Sequence, residues 1–297
     1  IPWDIKVSPN LPNPDCYLPN NGGYHDDSID IQINVTYWTQ DLQQVDAPGE
    51  GTTTVMSARV KLTDVSQFRT GFANKYPSKQ ARHVNDMTKR FNAVMGIDGD
   101  YCLYHEQGIV VRNGRTLRMR PHKGRDELIV DENGDFHLIT RTTQAKWDEY
   151  IAGGGTVLHA FCFGPVLVVD GVPLTSLDDV TIDNGKAKKA QRMVIGQIGK
   201  LEYLILTNEG PESTAPKSVG FDLVQMANLC VQFGLNNAYN LDGGSSSTIA
   251  LNNQKINSPS SHKNRMVGDC IWFATLVKEE TWREKESVQT VEVEENK

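Results

Sequence analysis

No stretch of this sequence is apolar over the ~20 residues that a membrane helix needs. No basic excess marks it for nucleic acid either, since 30 Lys and Arg stand against 37 Asp and Glu. Cysteine is scarce and odd in number, five in 297 residues, with no CxxC pair. That excludes a disulfide scaffold and a zinc ribbon. Cys162, Cys230 and Cys270 sit among apolar neighbours and read as buried free thiols. The seven histidines lack metal-ligand spacing; His159, inside a strand pattern, reads as a hydrogen-bonded core residue. Gly-Lys-Ser/Thr and Gly-x-Ser-x-Gly are both missing where the chain is richest in Gly and Ser, so neither a Walker loop nor a nucleophile elbow is formed there.

What is present is ordinary soluble-protein composition, 38% hydrophobic and 23% charged, with a net charge of −7. Much of that charge lies in residues 279–297, which hold seven acids against three bases and read as an acidic tail, frayed or in a solvated helix. Residues 1–27, rich in Pro, Asn, Gly and Asp, read as an irregular arm. Residue 1 is Ile rather than Met, as expected of a processed or trimmed product.

Between these ends, residues 28–278 read as one folded domain. Ile29, Ile31, Ile33 and Val35 alternate with polar residues, the period of a half-buried strand. Further strands are predicted over 55–62, 93–97, 156–163, 166–169, 193–198, 203–207, 238–241, 248–251 and 269–277. Asn-Gly pairs mark hairpins within 110–117 and 128–139. Residues 64–70 read as a turn leading to a polar helical stretch over 78–91. Other helices are predicted over 144–151 and 220–233, the latter stopped by Gly234. Many strands and few helices, without β-α alternation, predict an α+β fold: a mixed, mostly antiparallel sheet core with a few packed helices in a single domain.

The most specific segment is Asn240-Leu241-Asp242-Gly243-Gly244-Ser245-Ser246-Ser247-Thr248. A strand ends by presenting one carboxylate, Asp242. Two glycines then allow a sharp turn and close ligand approach, and successive N–H groups can cradle an anion. Downstream, Arg265 can clamp a phosphate bidentately, with Asp269 to orient it. Upstream, Asp98-Gly99-Asp100 puts two carboxylates on a tight loop. They are weak candidates for a divalent cation such as Ca²⁺, because Leu103 stands where an EF-hand needs Gly. Asp131, Asn133 and Asp135 fail the same test at Phe136. No other cofactor is indicated.

Taken in order, these segments resemble the phosphodiester glycosidase family, whose bacterial members are often exopolysaccharide-related. The family's Asn-Leu-Asp-Gly-Gly-Gly-Ser-Ser-Thr is similar to residues 240–248, and its Arg-Thr-Ala-Ile-Gly to Arg192-Met193-Val194-Ile195-Gly196. Its Asn-Gly-Asp-Tyr-Phe is similar to Asp98-Gly99-Asp100-Tyr101-Cys102, and its Val-Asp-Gly strand end to Asn208-Glu209-Gly210. Its Phe-Gly-Pro…Asp-Gly is similar to residues 163–171, and its closing Asn-x-Pro and Arg-x-Val-x-Asp to Asn257-Ser258-Pro259 and Arg265–Asp269. The resemblance covers about residues 55–277 and departs from the family at Met193, Asp98 and Ser245.

The resemblance implies hydrolysis between an anomeric carbon and a phosphodiester. Arg192, Arg265 and the backbone N–H groups of Gly243, Gly244, Ser245 and Ser246 would bind the phosphate. Asp242 and Glu209 would act as nucleophile or water-activating base, with Asp100 as a third candidate or a ligand to sugar hydroxyls. The substrate would be a sugar-phosphate or glycan, and the location extracellular or in the cell envelope after removal of a signal peptide. Two alternatives stay open: a non-catalytic glycan- or cell-wall-binding module, favoured by the three departures, and a metal-dependent phosphodiesterase using Asp98 and Asp100.

Overall fold

The computed structural model describes residues 7–178, 180, 188–211, 217–257 and 264–283. Three antiparallel sheets account for the body of the molecule. The largest runs, neighbour by neighbour, through Tyr17–Leu18, Gly23–His25, Ile29–Trp38, Thr53–Leu62, Glu202–Asn208, Arg192–Gly199, Asn237–Asn240, Val166–Val169 and Val172–Pro173, with Gln44–Val45 paired to Ile29–Trp38. A second joins Phe136–Ile139, Glu127–Val130, His159–Phe161, Gly108–Arg112 and Arg115–Arg120. A third joins Gln254–Lys255, Ile249–Leu251, Met95–Asp98, Asp269–Phe273 and Phe68–Phe72.

Strand alternation explains how the sheets share one core. Successive side chains point to opposite faces, so Ile31, Val60, Ile195 and Ile205 from the first sheet meet Leu128 and Phe161 from the second and Ile97, Ile271 and Phe273 from the third. Helix α1 (Val84–Phe91) covers the third sheet, stacking Phe91 on Trp272 at 5.3 Å. Helix α2 (Gln144–Ala152) buries Trp147 against the second. Helix α3 (Leu223–Gln232) lays Leu223, Met226, Ala227, Leu229 and Cys230 on the outer face of the first. A capping box between Asp222 and Gln225 starts α3 by satisfying otherwise orphaned N–H groups.

Three sequence expectations change. The N-terminal arm is not irregular throughout, because Tyr17–Leu18 and Gly23–His25 extend the large sheet. Residues 68–72, expected as part of a turn, form the edge strand of the third sheet, paired with Asp269–Phe273. The helix expected from residue 78 begins at Val84. In the acidic tail, residues 279–283 are helical and bury Trp282, and residues 284–297 lie outside the described residues. Every strand pairing is antiparallel among the described residues, and the five cysteines are free thiols, four of them buried. No helix of the described residues is long and apolar enough to cross a membrane.

Candidate active site

The site forms where the ends of the first and third sheets meet. Asn240 closes its strand opposite Val194, and the Leu241 N–H still reaches Met193 O at 2.8 Å. The chain then leaves the large sheet. Asp242 N–H donates to Gly99 O at 3.2 Å, Thr248 N–H donates to Asp98 Oδ1 at 2.8 Å, and Ile249 pairs with Ile97 in the third sheet. Residues 242–248 therefore cross from one sheet to the other. Glycine is required along the crossing. A Cβ on Gly243 would lie 2.9 Å from Gln191 O, and Gly244 adopts a left-handed φ of 61°.

The crossing does not make the open anion cradle expected of Gly243, Gly244, Ser245 and Ser246. Gly243 N–H donates to Asp242 Oδ1 at 2.9 Å, Gly244 N–H to Gln191 O at 3.0 Å, and Ser246 N–H to Gly243 O at 3.2 Å. Three of the four N–H groups are thus spent within the protein. The glycines serve the turn more than the ligand.

Asp242 is 8% exposed and lines a cavity of about 360 Å³ with Phe163, Gln191, Arg192, Gly243 and Gly244. Burial pushes its carboxyl above the usual range, held back by the Ser246 hydroxyl and the Arg265 charge. Glu209 directly follows the strand Glu202–Asn208, is buried, and accepts a hydrogen bond from Gln191 Nε2 at 3.3 Å. Gln191 thereby links both acid-bearing loops, its amide to Glu209 and its carbonyl to Gly244. Asp98 is fully buried. Its Oδ2 has no hydrogen-bond partner among the described residues, and burial together with the Asp242 charge drives it strongly toward the protonated form. Lys255, unmarked by any motif, feels the charges of both Asp98 and Glu209, and burial lowers it from the usual lysine range.

Asp100 and Asp269 do something other than expected. Arg112 Nη2 donates to Asp100 Oδ1 at 3.0 Å and to Asp269 Oδ2 at 3.1 Å, with all three side chains at 2% exposure or less. Cys102 and Cys162 N–H groups also bind the Asp100 carboxylate, at 3.2 and 2.9 Å. Asp100 is held ionised, well below its usual range, against the opposing effect of burial, by Arg112 and these N–H groups. Asp269 is pushed up to about 7 by burial and by the Asp100 charge. Asp269 therefore orients Arg112, not Arg265, and Asp100 has no lone oxygen to offer a sugar or water.

Among the described residues, the group of three with metal-ligand proximity is Asp100, Cys102 and Asp269. Arg112 already occupies its centre, with Nη2 also 3.8 Å from Cys102 Sγ and the guanidinium 4.3 Å from the Phe161 ring centroid. A buried guanidinium supplies the charge that a cation would bring, so these residues do not fit a metal ion. Arg112 is the residue that sequence reasoning missed. Its signal was an Arg ending the apolar run Ile109-Val110-Val111, which read only as the start of an Asn-Gly turn.

The two expected phosphate clamps differ. Arg192 lines the cavity but donates Nε to Phe221 O at 3.2 Å and Nη2 to Lys188 O at 2.7 Å. Burial lowers it to about 10. Arg265 is exposed, and its guanidinium makes no hydrogen bond among the described residues. It lies 5.2 Å from the Tyr101 ring centroid. Asn257 closes the far side, accepting from Ile249 N–H and donating to Ser247 O. Ser258 and Pro259 lie outside the described residues. His159 is a core residue: burial lowers it to about 3, and Nδ1 accepts the Asn113 N–H at 3.2 Å.

The chain is similar in structure to the catalytic domain of zebrafish N-acetylglucosamine-1-phosphodiester alpha-N-acetylglucosaminidase auto-inhibited by its propeptide, at 15% identity and a TM-score of 0.63 over 86% of each chain. It is also similar to a hypothetical protein from Synechocystis, at 12% identity and a TM-score of 0.58, covering 83% of this chain and 62% of that one. A comparison with curated protein sequences returned no match. The phosphodiester glycosidase family model matches residues 91–274, well over half of the sequence and nearly all of the site, and the chain belongs to that family.

Proposed function

We propose that the protein is a hydrolase cleaving the anomeric C–O bond of a sugar-1-phosphodiester carried on a cell-surface or extracellular glycan. The observation that carries this reading is Asp242: one carboxylate, nearly buried, lining a cavity of about 360 Å³ and feeling the charge of Arg265, whose guanidinium makes no hydrogen bond among the described residues. A phosphate is a good leaving group, so the demand on a general acid is small. The larger need is to neutralise charge on the phosphate as the C–O bond breaks. Arg265 supplies that charge.

Asp242, ionised, attacks the anomeric carbon or takes a proton from the attacking water, and Glu209 is the second carboxylate. The water oxygen ends on the sugar and the phosphate leaves as a monoester. Asp98, kept protonated, leaves Asp242 as the charged partner of the two. Asp242→Asn is expected to remove turnover, by about 10²-fold or more, with folding intact. Wild-type activity should fall on the acid side at a pH above the ordinary carboxylate range, because burial raises the group that must be ionised.

The test is hydrolysis of α- and β-linked sugar-1-phosphodiesters in ¹⁸O water, with and without chelator. Label in the free sugar and indifference to chelator are expected. Label in the phosphate together with chelator sensitivity would instead establish a metal-dependent phosphodiesterase. Saturable sugar binding without turnover on any substrate would make the protein a binding module.

A further inference from the structure

Tyr101 has an unusual conformation for its bulk. Its φ is 59°, in the left-handed region that a large side chain enters only at a cost in backbone energy. It directly follows Asp100, whose carboxylate is locked by Arg112, so the strained residue starts from a rigid base. The strain turns its ring onto Tyr104, stacked at 4.5 Å with 26° between the planes. The Tyr104 hydroxyl donates to Lys79 O at 3.2 Å, which fixes the lower ring. On the Tyr101 ring lies the Arg265 guanidinium, at 5.2 Å from the centroid. Among the described residues, Arg265 is otherwise attached to the site through its backbone, whose N–H reaches Ser245 O at 3.3 Å. Its charge is felt by Asp242.

We propose that Tyr101 is a positioning residue: propped on Tyr104, its ring holds the Arg265 guanidinium over the Ser245 end of the sheet crossing through a cation–π contact, leaving the N–H donors of Arg265 available for the phosphate oxygens of the substrate. A carboxylate in that place would fix the arginine too, but it would consume the donors and cancel the charge. An aromatic face does neither. The proposal rests on the reading that the substrate carries a phosphodiester.

The test compares wild type, Tyr101→Phe, Tyr101→Leu, Arg265→Gln and the Tyr101→Leu/Arg265→Gln double variant, each first checked for folding by circular dichroism. The substrates are a methyl sugar-1-phosphodiester and the neutral p-nitrophenyl glycoside of the same sugar. Tyr101→Leu is expected to raise KM for the phosphodiester by roughly three- to thirtyfold, with a smaller effect on kcat and little on the neutral glycoside. Tyr101→Phe should restore wild-type values, since the hydroxyl is not needed, and the double variant should be no worse than Arg265→Gln alone. Equal losses on both substrates, failure of Phe to rescue, or additive losses in the double variant would overturn the proposal. If neither substrate is turned over, the hydrolytic reading fails. The positioning role is then read by calorimetric binding of a non-hydrolysable glycosyl phosphonate: loss in Tyr101→Leu with retention in Tyr101→Phe upholds it, and equal binding in all variants overturns it.

Discussion

Asp98 and Asp100, two residues apart at the end of one strand, are both fully buried, yet among the described residues only Asp100 has a cation against it. The sequence presents Asp98 and Asp100 as twin carboxylates two apart, and twin carboxylates read as cation ligands. Folding gives them opposite fates. Asp100 meets a buried guanidinium that favours its ionised form, whereas Asp98 meets one backbone N–H and a neighbouring acid, and burial pushes it toward its protonated form. The deciding residue, Arg112, comes from another sheet and is invisible to spacing. The Asp98 assignment has a thermodynamic consequence. A carboxyl whose folded pKa lies above its unfolded one makes the native state bind more protons, so stability falls as pH rises from the unfolded value toward the folded one. Asn mimics the protonated acid and still accepts the Thr248 N–H. Asp98→Asn should therefore gain stability relative to wild type as pH is raised from about 4 to 7, by at most about 1.4 kcal/mol per pH unit. Urea unfolding at pH 5 and pH 7 measures this; a difference independent of pH would show that Asp98 is ionised in the native protein.

At the scale of elements, alternation and turn chemistry carried most strands. The Asn113-Gly114 hairpin is formed with left-handed φ values of 51° and 74°, as its residues require. One strand that escaped the pattern, Phe68–Phe72, has Arg69 and Gly71 where a strand usually presents larger apolar or β-branched residues. Both positions are explained only by their neighbours. Arg69 lies over the Trp272 ring at 5.2 Å, and a Cβ on Gly71 would come within 2.6 Å of the Phe91 ring. Helix α3 was legible from its apolar spacing, but its service to the site was not: the Phe221 carbonyl just before it receives Arg192, and Ala190 and Phe221 bridge as antiparallel partners. Asp222→Ala removes the cap and should cost about 1 kcal/mol, within 0.5–2 kcal/mol. Thermal unfolding should register that loss, along with lower activity if Arg192 shifts. Unchanged stability would mean that tertiary packing alone fixes the start of α3.

For the whole molecule, the mostly antiparallel α+β architecture and the single domain followed from the sequence, and the order of the family motifs placed the acids at strand ends. What the sequence did not contain was the meeting of two sheets, because the pairings that build them join residues as distant as Thr70 and Ile271. Asp242 belongs to the only covalent link between Asn240 and Ile249, whose ends are bonded into different sheets. The site should therefore have no independent unfolding transition. Activity and tryptophan fluorescence are expected to be lost at the same urea concentration, and inactivation at clearly lower urea would reveal a locally unfolding loop.

The crossing between the sheets also sets where this protein can change. The backbone from Asp242 to Thr248 both joins the sheets and carries Asp242, so a substitution that bends it is tried for foldedness and for turnover in the same event, and an improvement in one seldom survives a loss in the other. Tyr101 and Arg265 stand on the rim, where no strand depends on either side chain. New substrate preferences can be gained at the rim while the crossing stays as it is.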